Sequence, residues 1–186
     1  MGPDSSDQVS SRPPDTTHSS YIHAFKDSEF LERDELRPIR IGLELLKPEL
    51  IQREEQIHST IVVFGSARIH EPKAMEKALR EAEADVVRTP DDPAIQRKAA
   101  IARRQVALAK YYDVSREFGR LVSSMCQVDG HCDYVVITGG GPGIMEAANR
   151  GAADVRAKSI GLNITLPHEQ YPNPYITPAL SFQFRY

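Results

Sequence analysis

Residues Gly139-Gly140-Gly141-Pro142-Gly143 place four glycines and a proline in five positions. Glycine lets a main chain approach an anion closely and adopt positive φ. The run lies between an apolar β-type segment, Tyr134-Val135-Val136-Ile137-Thr138, and a helical stretch from Ile144 to Ala157. A helix in that place aims its unpaired N–H groups and the positive end of its dipole at the same point. Strand, glycines and helix together make a cradle for an anion, most often a phosphate. A tight turn that only packs helix on strand needs fewer glycines. The dinucleotide fingerprint G-x-G-x-x-G/A fails: its third position is Glu146 counted from Gly141 and Ile144 counted from Gly139. The acidic residue expected after the next strand is replaced by Leu162-Asn163-Ile164. No G-x-x-x-x-G-K-[ST] occurs either. A mononucleotide or a sugar phosphate therefore fits better than NAD or ATP, and no cofactor is assigned.

Other candidates are placed by the same topology. Gly65-Ser66-Ala67-Arg68 follows the first apolar run, Ile61-Val62-Val63-Phe64. Strand C-terminal ends line the ligand crevice of a doubly wound sheet. There Ser66 offers a hydroxyl and Arg68 a fork for phosphate or carboxylate. Ile144, Met145 and Glu146 open the helix after the glycines. Glu146 suits a ribose hydroxyl or a role on a bond, and equally a first-turn carboxylate that complements the dipole. Asn163, His168, Glu169, Gln170 and Asn173 lie in or beside the loop after the third strand, each also an ordinary turn residue. Cys126, His131 and Cys132 match no standard zinc spacing and lack a fourth ligand, so no metal is assigned.

The elements that would hold these groups read as strand, helix, strand, helix, strand. The expected strands are 61–64, 134–138, 159–164 and a strand-like 180–186. A helical stretch starts near Pro72 and breaks at Thr89–Pro93, where Asp92 caps and Pro93 opens the next helix. From Ala94 to about Gln127 one helical pattern runs on, its apolar face including Ile95, Ala99, Ala102, Val106, Ala109, Tyr112, Leu121 and Met125. Gly119 suggests close packing. This order predicts an α/β fold, a Rossmann-like three-layer parallel sheet. Three or four strands are few for such a sheet, so the fold is expected to be incomplete at its C-terminus.

The chain has 186 residues and 20.8 kDa, with 40% hydrophobic and 26% charged residues. A net charge of -3 and a pI near 6.1 remove the basic footprint of a general nucleic-acid binder. No apolar run approaches the roughly 20 residues of a membrane span, and no signal-peptide core is present. Two cysteines, six apart, make no disulfide framework, and a reduced cytoplasmic setting is expected. Residues 1–20 are polar and expected to be a disordered tail. Residues 21–58 read as a helical lead-in, cut into short pieces by Pro38 and Pro48, that packs on the main domain of residues 59–186.

Taken together, I-V-V-F-G-S-A-R (Ile61–Arg68), I-T-G-G-G-P-G-I-M-E-A-A-N-R-G-A (Ile137–Ala152) and G-L-N-I-T-L-P-H-E-Q-Y-P-N-P-Y (Gly161–Tyr175) resemble the LOG family, formerly called lysine-decarboxylase-like. The resemblance covers roughly residues 38–186 and is nearest to the longer bacterial branch of AMP nucleosidases. It implies hydrolysis of the N-glycosidic bond of a nucleoside 5′-monophosphate, AMP or a cytokinin ribotide, to base and ribose 5-phosphate. It implies homodimers or higher oligomers. Gly139–Gly143 match the stretch that meets phosphate and ribose. Met145 and Glu146 match the start of the adjoining helix, and Gly65–Arg68 match the first substrate loop. The family's P-G-G-x-G-T-x-x-E is absent from these residues, as is the Arg-Lys pair after the aromatic segment, for which Arg185 sits too early. The catalytic residues are therefore unknown here. A glycine cradle without a carboxylate to stabilise an oxocarbenium-like transition state binds rather than cleaves. The expectation is a chain cut short of its catalytic Glu and Arg. The alternatives are a mononucleotide-binding module that does not hydrolyse, and an unstable fragment with exposed apolar edges.

Overall fold

The structure, a computed structural model, describes residues 16–127, 131–166 and 171–185. His168, Glu169 and Gln170 lie outside the described residues, as does most of the expected tail. The chain forms two compact units, one up to Leu43 and one from Glu44 onward.

The first unit is made of short pieces. Single 3-10 turns at Ser19–Tyr21 and Ala24–Lys26 precede a one-turn helix, α1 (Ser28–Leu31), whose Phe30 amide donates to the Asp27 carboxylate. A further 3-10 turn, Asp34–Leu36, leads into α2 (Arg37–Glu54). The two prolines do not cut this segment as expected. Pro38 sits in the first turn, where a missing N–H costs nothing. Pro48 lies inside the continuous helix, which forfeits one hydrogen bond there while burying the ring.

The second unit is an α/β domain. Its strands are β1 (Thr60–Val62), β2 (Val135–Thr138), β3 (Ser159–Ile164) and β4 (Ser181–Phe184), all parallel and ordered β1-β2-β3-β4. Between β1 and β2 come α3 (Pro72–Arg88), α4 (Pro93–Leu108) and α5 (Lys110–Cys126); α6 (Ile144–Asp154) links β2 to β3. The fold is thus the expected Rossmann-like α/β arrangement. The strand order does not reverse among the described strands.

Pleat alternation divides the sheet's faces. Val135, Ile137, Ile160, Leu162, Phe182 and Phe184 form one apolar layer, with Ile51 of α2 and Ile57 packed on it. On the opposite face Thr138 meets α6 through Asn149. Asp92 caps α4 as the sequence suggests, accepting from the amides of Ala94 and Ile95. The α6 helix stops three residues before the expected Ala157. Arg156 takes φ +57, and the Ala157 amide donates back to the Ala152 carbonyl, a left-handed helix stop.

Three further expectations are corrected. The first strand is shorter than Ile61–Phe64 and is not buried on both faces. Val62 is 54% and Phe64 87% exposed, because β1 is an edge with no described strand on its outer side. The long helix after Ala94 is two helices, joined at Ala109, where the hydrogen bond tightens to Val106. The buried face of α5 is Tyr112, Ser115, Gly119 and Ser123, whereas Leu121 and Met125 are exposed with Tyr111, Val114 and Phe118.

The small residues on α5 let it approach α6 closely. A Cβ on Gly119 would run into the carbonyl oxygen of Ala148, and one on Gly151 into that of Arg116. Arg116 also pairs with Asp154 through two hydrogen bonds of 2.6 and 2.9 Å. Alanine gains about 1 kcal/mol of helix propensity over glycine. Backbone atoms cannot rotate out of the way, so overpacking of about 1–3 kcal/mol outweighs that gain. Gly119→Ala and Gly151→Ala should each lower the denaturant midpoint; a rise in either would contradict the close approach. No described helix is long and apolar enough to cross a membrane.

Candidate functional site

The β2–α6 junction is built around three buried polar side chains. Thr138 Oγ1 accepts from the Gly140 amide (3.0 Å) and donates to Asn149 Oδ1 (2.8 Å). Asn149 Nδ2 reaches the Ile160 carbonyl on β3. Asn173 arrives from the loop before β4. Its Nδ2 donates to Gly140 O (3.1 Å), Gly141 O (3.2 Å) and Asn149 Oδ1 (3.0 Å), and its own amide donates to Gly140 O (2.8 Å). Burial of all three residues makes every partner count, since an orphaned polar group costs about 1–3 kcal/mol.

These bonds set the direction of the glycine run. The carbonyls of Gly140 and Gly141 are held toward Asn173. In a trans peptide the N–H points opposite to the preceding C=O, so the Gly141 amide faces away from Asn173. Among the described residues no acceptor meets the amides of Gly141, Gly143, Met145 or Glu146, while Ile144 N–H donates to the Ser66 carbonyl at 3.1 Å. Gly141 and Gly143 are themselves buried. Unpaired donors at the start of an eleven-residue helix are groups to which an anion could bond.

Two glycines also serve packing. Gly140, at φ +72, leaves room for the Asn163 side chain, and Gly143, at φ +75, for the backbone of Ser66 and Ala67. Positive φ and close approach therefore account for part of the run without a ligand.

The structure brings most of the sequence-derived residues together. Gly65 packs on the Ile144 side chain, which lets the first loop lie against the helix start. Ser66 Oγ accepts from the Arg68 amide (3.2 Å), and the Arg68 side chain is exposed. The Met145 sulfur touches Gly139. Asn163 lies against Gly140, while its Nδ2 donates to the Phe182 carbonyl at 3.0 Å and ties β3 to β4. A cavity of about 450 Å³ includes Gly65, Ser66 and Ile144 but is walled mainly by Val63, Phe64, Tyr111, Val114 and Phe118. Another of about 400 Å³ includes Asn163. Cys132 belongs to the apolar core and the His131 ring lies tilted against that of His58, away from the glycine run.

A second polar group flanks the junction. Glu146 Oε1 accepts from the Tyr112 hydroxyl at 2.8 Å, and Arg150 donates to the same hydroxyl and to Glu71, both at 3.4 Å. The Arg150 guanidinium lies 5.3 Å over the Tyr175 ring. Burial pushes the Tyr112 phenol up to about 12; Arg150 opposes that shift and the Glu146 carboxylate adds to it. The Arg150 guanidinium is raised in turn, chiefly by its bond to Tyr112. Asn149, Tyr112 and Arg150 escape sequence reasoning as site residues. The available signal was a polar Asn149 among Ala147, Ala148 and Ala152 on an otherwise small, apolar helix face.

The chain matches no protein-family model and no curated protein.

Two outcomes follow from this geometry. Asn173→Ala should cost about 3 kcal/mol by denaturant unfolding, because it orphans buried acceptors; a loss well under 1 kcal/mol would show that water replaces the carboxamide freely. An unfolded tyrosine titrates near 10. Between about 10 and about 12 the unfolded chain loses the Tyr112 proton while the folded chain keeps it. Its contribution to stability is therefore full below pH 10 and falls as pH rises through that window. Near-ultraviolet phenolate titration should show a late phase that Tyr112→Phe removes.

Proposed function

We propose that this domain binds a nucleoside 5′-monophosphate, with the phosphate on the α6 amides and the Gly65–Arg68 loop beside it. The observation that carries this reading is the set of unaccepted main-chain donors at Gly141, Gly143, Met145 and Glu146, the first of them turned away from Asn173 by its hold on the Gly140 carbonyl. A phosphate dianion takes such donors at full charge-assisted strength. The Arg68 guanidinium, on the adjoining loop, supplies mobile positive charge for the same group. The mononucleotide is favoured over a dinucleotide because the G-x-G-x-x-G/A pattern and its ribose-binding acid are missing.

The resemblance to the LOG family supports a more specific reading: the site is that of a phosphoribohydrolase acting on AMP or a related ribotide, in the cytoplasm and as a homo-oligomer. In that reaction a carboxylate must stabilise positive charge on the ribose and orient water. Among the candidate residues Glu146 is the one carboxylate at the cradle, and Tyr112 occupies one of its oxygens. The residues described here supply binding and no complete acid–base pair. The reading for the chain as it stands is binding of the mononucleotide, with hydrolysis requiring a further carboxylate.

Calorimetric titration with AMP tests this. Saturable binding with one site is expected. Gly141→Asp should weaken it at least tenfold, since a carboxylate there repels the phosphate. Equal affinity in an intact Gly141→Asp fold would remove the cradle from the account. Assay of adenine and ribose 5-phosphate in the same sample separates the two readings: release at an enzymatic rate would give the chain its own catalytic carboxylate.

A further inference from the structure

Glu146 and Arg150 stand one helical turn apart on α6. A glutamate four residues before an arginine pairs with it by default on a helix surface. Here they do not pair. Arg150 is bonded to Glu71 and to the Tyr112 hydroxyl, and that hydroxyl stands between the guanidinium and the carboxylate, donating to Glu146 Oε1. Tyr112 is 1% exposed and held by the α5–α6 packing, so its oxygen is a fixed point. The other carboxylate oxygen of Glu146 has no partner among the described residues, and the residue is partly open to solvent. Arg150 is fixed from two more sides, by Glu71 at the start of α3 and by the Tyr175 ring, two residues from the asparagine that orients the glycine run.

We infer that Tyr112 and Arg150 are positioning residues that keep the Glu146 carboxylate off the arginine and turned to a sugar hydroxyl of the bound ligand. The inference rests on the mononucleotide reading above and adds to it the acceptor for the ligand's vicinal hydroxyls and the groups that hold that acceptor in place. A carboxylate beside a phosphate site repels the phosphate. It is tolerable where a hydroxyl donor of the same ligand meets it, because that hydrogen bond is charge-assisted. Tyr112 satisfies one oxygen and leaves the second as the acceptor. Without the phenol, Glu146 swings onto Arg150 as an ordinary four-residue ion pair and leaves the hydroxyl unmet.

The test compares AMP with 2′,3′-dideoxyadenosine 5′-monophosphate by calorimetry, on the full chain and on Tyr112→Phe and Glu146→Gln. The full chain should prefer AMP by about tenfold, the scale of one hydrogen bond to a charged group. In both variants the preference should fall to within about twofold, with the dideoxy affinity no weaker than in the full chain. The double variant should add nothing to either single one. Retention of the tenfold preference in Tyr112→Phe overturns the positioning role. Equal weakening toward both nucleotides also overturns it, since a merely structural residue would do that. A chain that binds neither nucleotide removes the mononucleotide reading itself, whereas AMP bound without sugar discrimination removes only this inference. Should Tyr112→Phe fail to fold, Glu146→Gln, at a partly exposed position, reads the same ratio.

Discussion

One buried carboxamide governs the candidate site. Asn173 spends its side-chain donors on Gly140, Gly141 and Asn149, and its main-chain amide on Gly140 again. Those bonds fix the peptide planes of the glycine run from beneath. Once the Gly140 carbonyl is held, the Gly141 amide on the same peptide has only the other side to face. A flexible run of glycines would otherwise sample many orientations, at a cost of about 1–2 kcal/mol of entropy for each residue fixed on binding. Asn173 and Thr138 meet that cost during folding, so a ligand need not.

The same polar group connects three parts of the domain. Thr138 ends β2, Asn149 sits mid-way along α6 and bonds β3, and Asn173 belongs to the loop that leads to β4. A buried network of this kind is stable only when every member is satisfied, and each of the three has its partners. The polar cluster of Tyr112, Glu146, Arg150 and Glu71 ties α5 and the start of α3 to the same helix. The α6 helix is therefore held by β2, β3, α5, the start of α3 and the loop before β4, with its Met145 and Glu146 amides left over.

Much of this was legible in the sequence, for identifiable reasons. Val135-Val136-Ile137-Thr138 is apolar throughout and buried throughout, so the run and its strand coincide. The glycines name the turn, and Asp92-Pro93 names a helix start. Amphipathic logic failed on α5. There the buried face beyond Tyr112 carries Ser115, Gly119 and Ser123, because the close backbone approach to α6 at Gly119 leaves no room for large side chains, while Phe118 and Met125 face outward. It failed again at Ile61–Phe64, where an apolar run forms an edge rather than a central strand. Asn149 and Asn173 look like ordinary helix and turn residues. Their role depends on contacts between residues far apart in the chain, which spacing does not reveal.

The central claim concerns where an adenylate would sit. Backbone amide resonances followed during titration with AMP report it directly. The account requires the largest shifts at Gly141, Gly143, Met145 and Glu146, with saturation at one nucleotide per chain. Shifts confined to other segments, with those four amides unmoved, would contradict it.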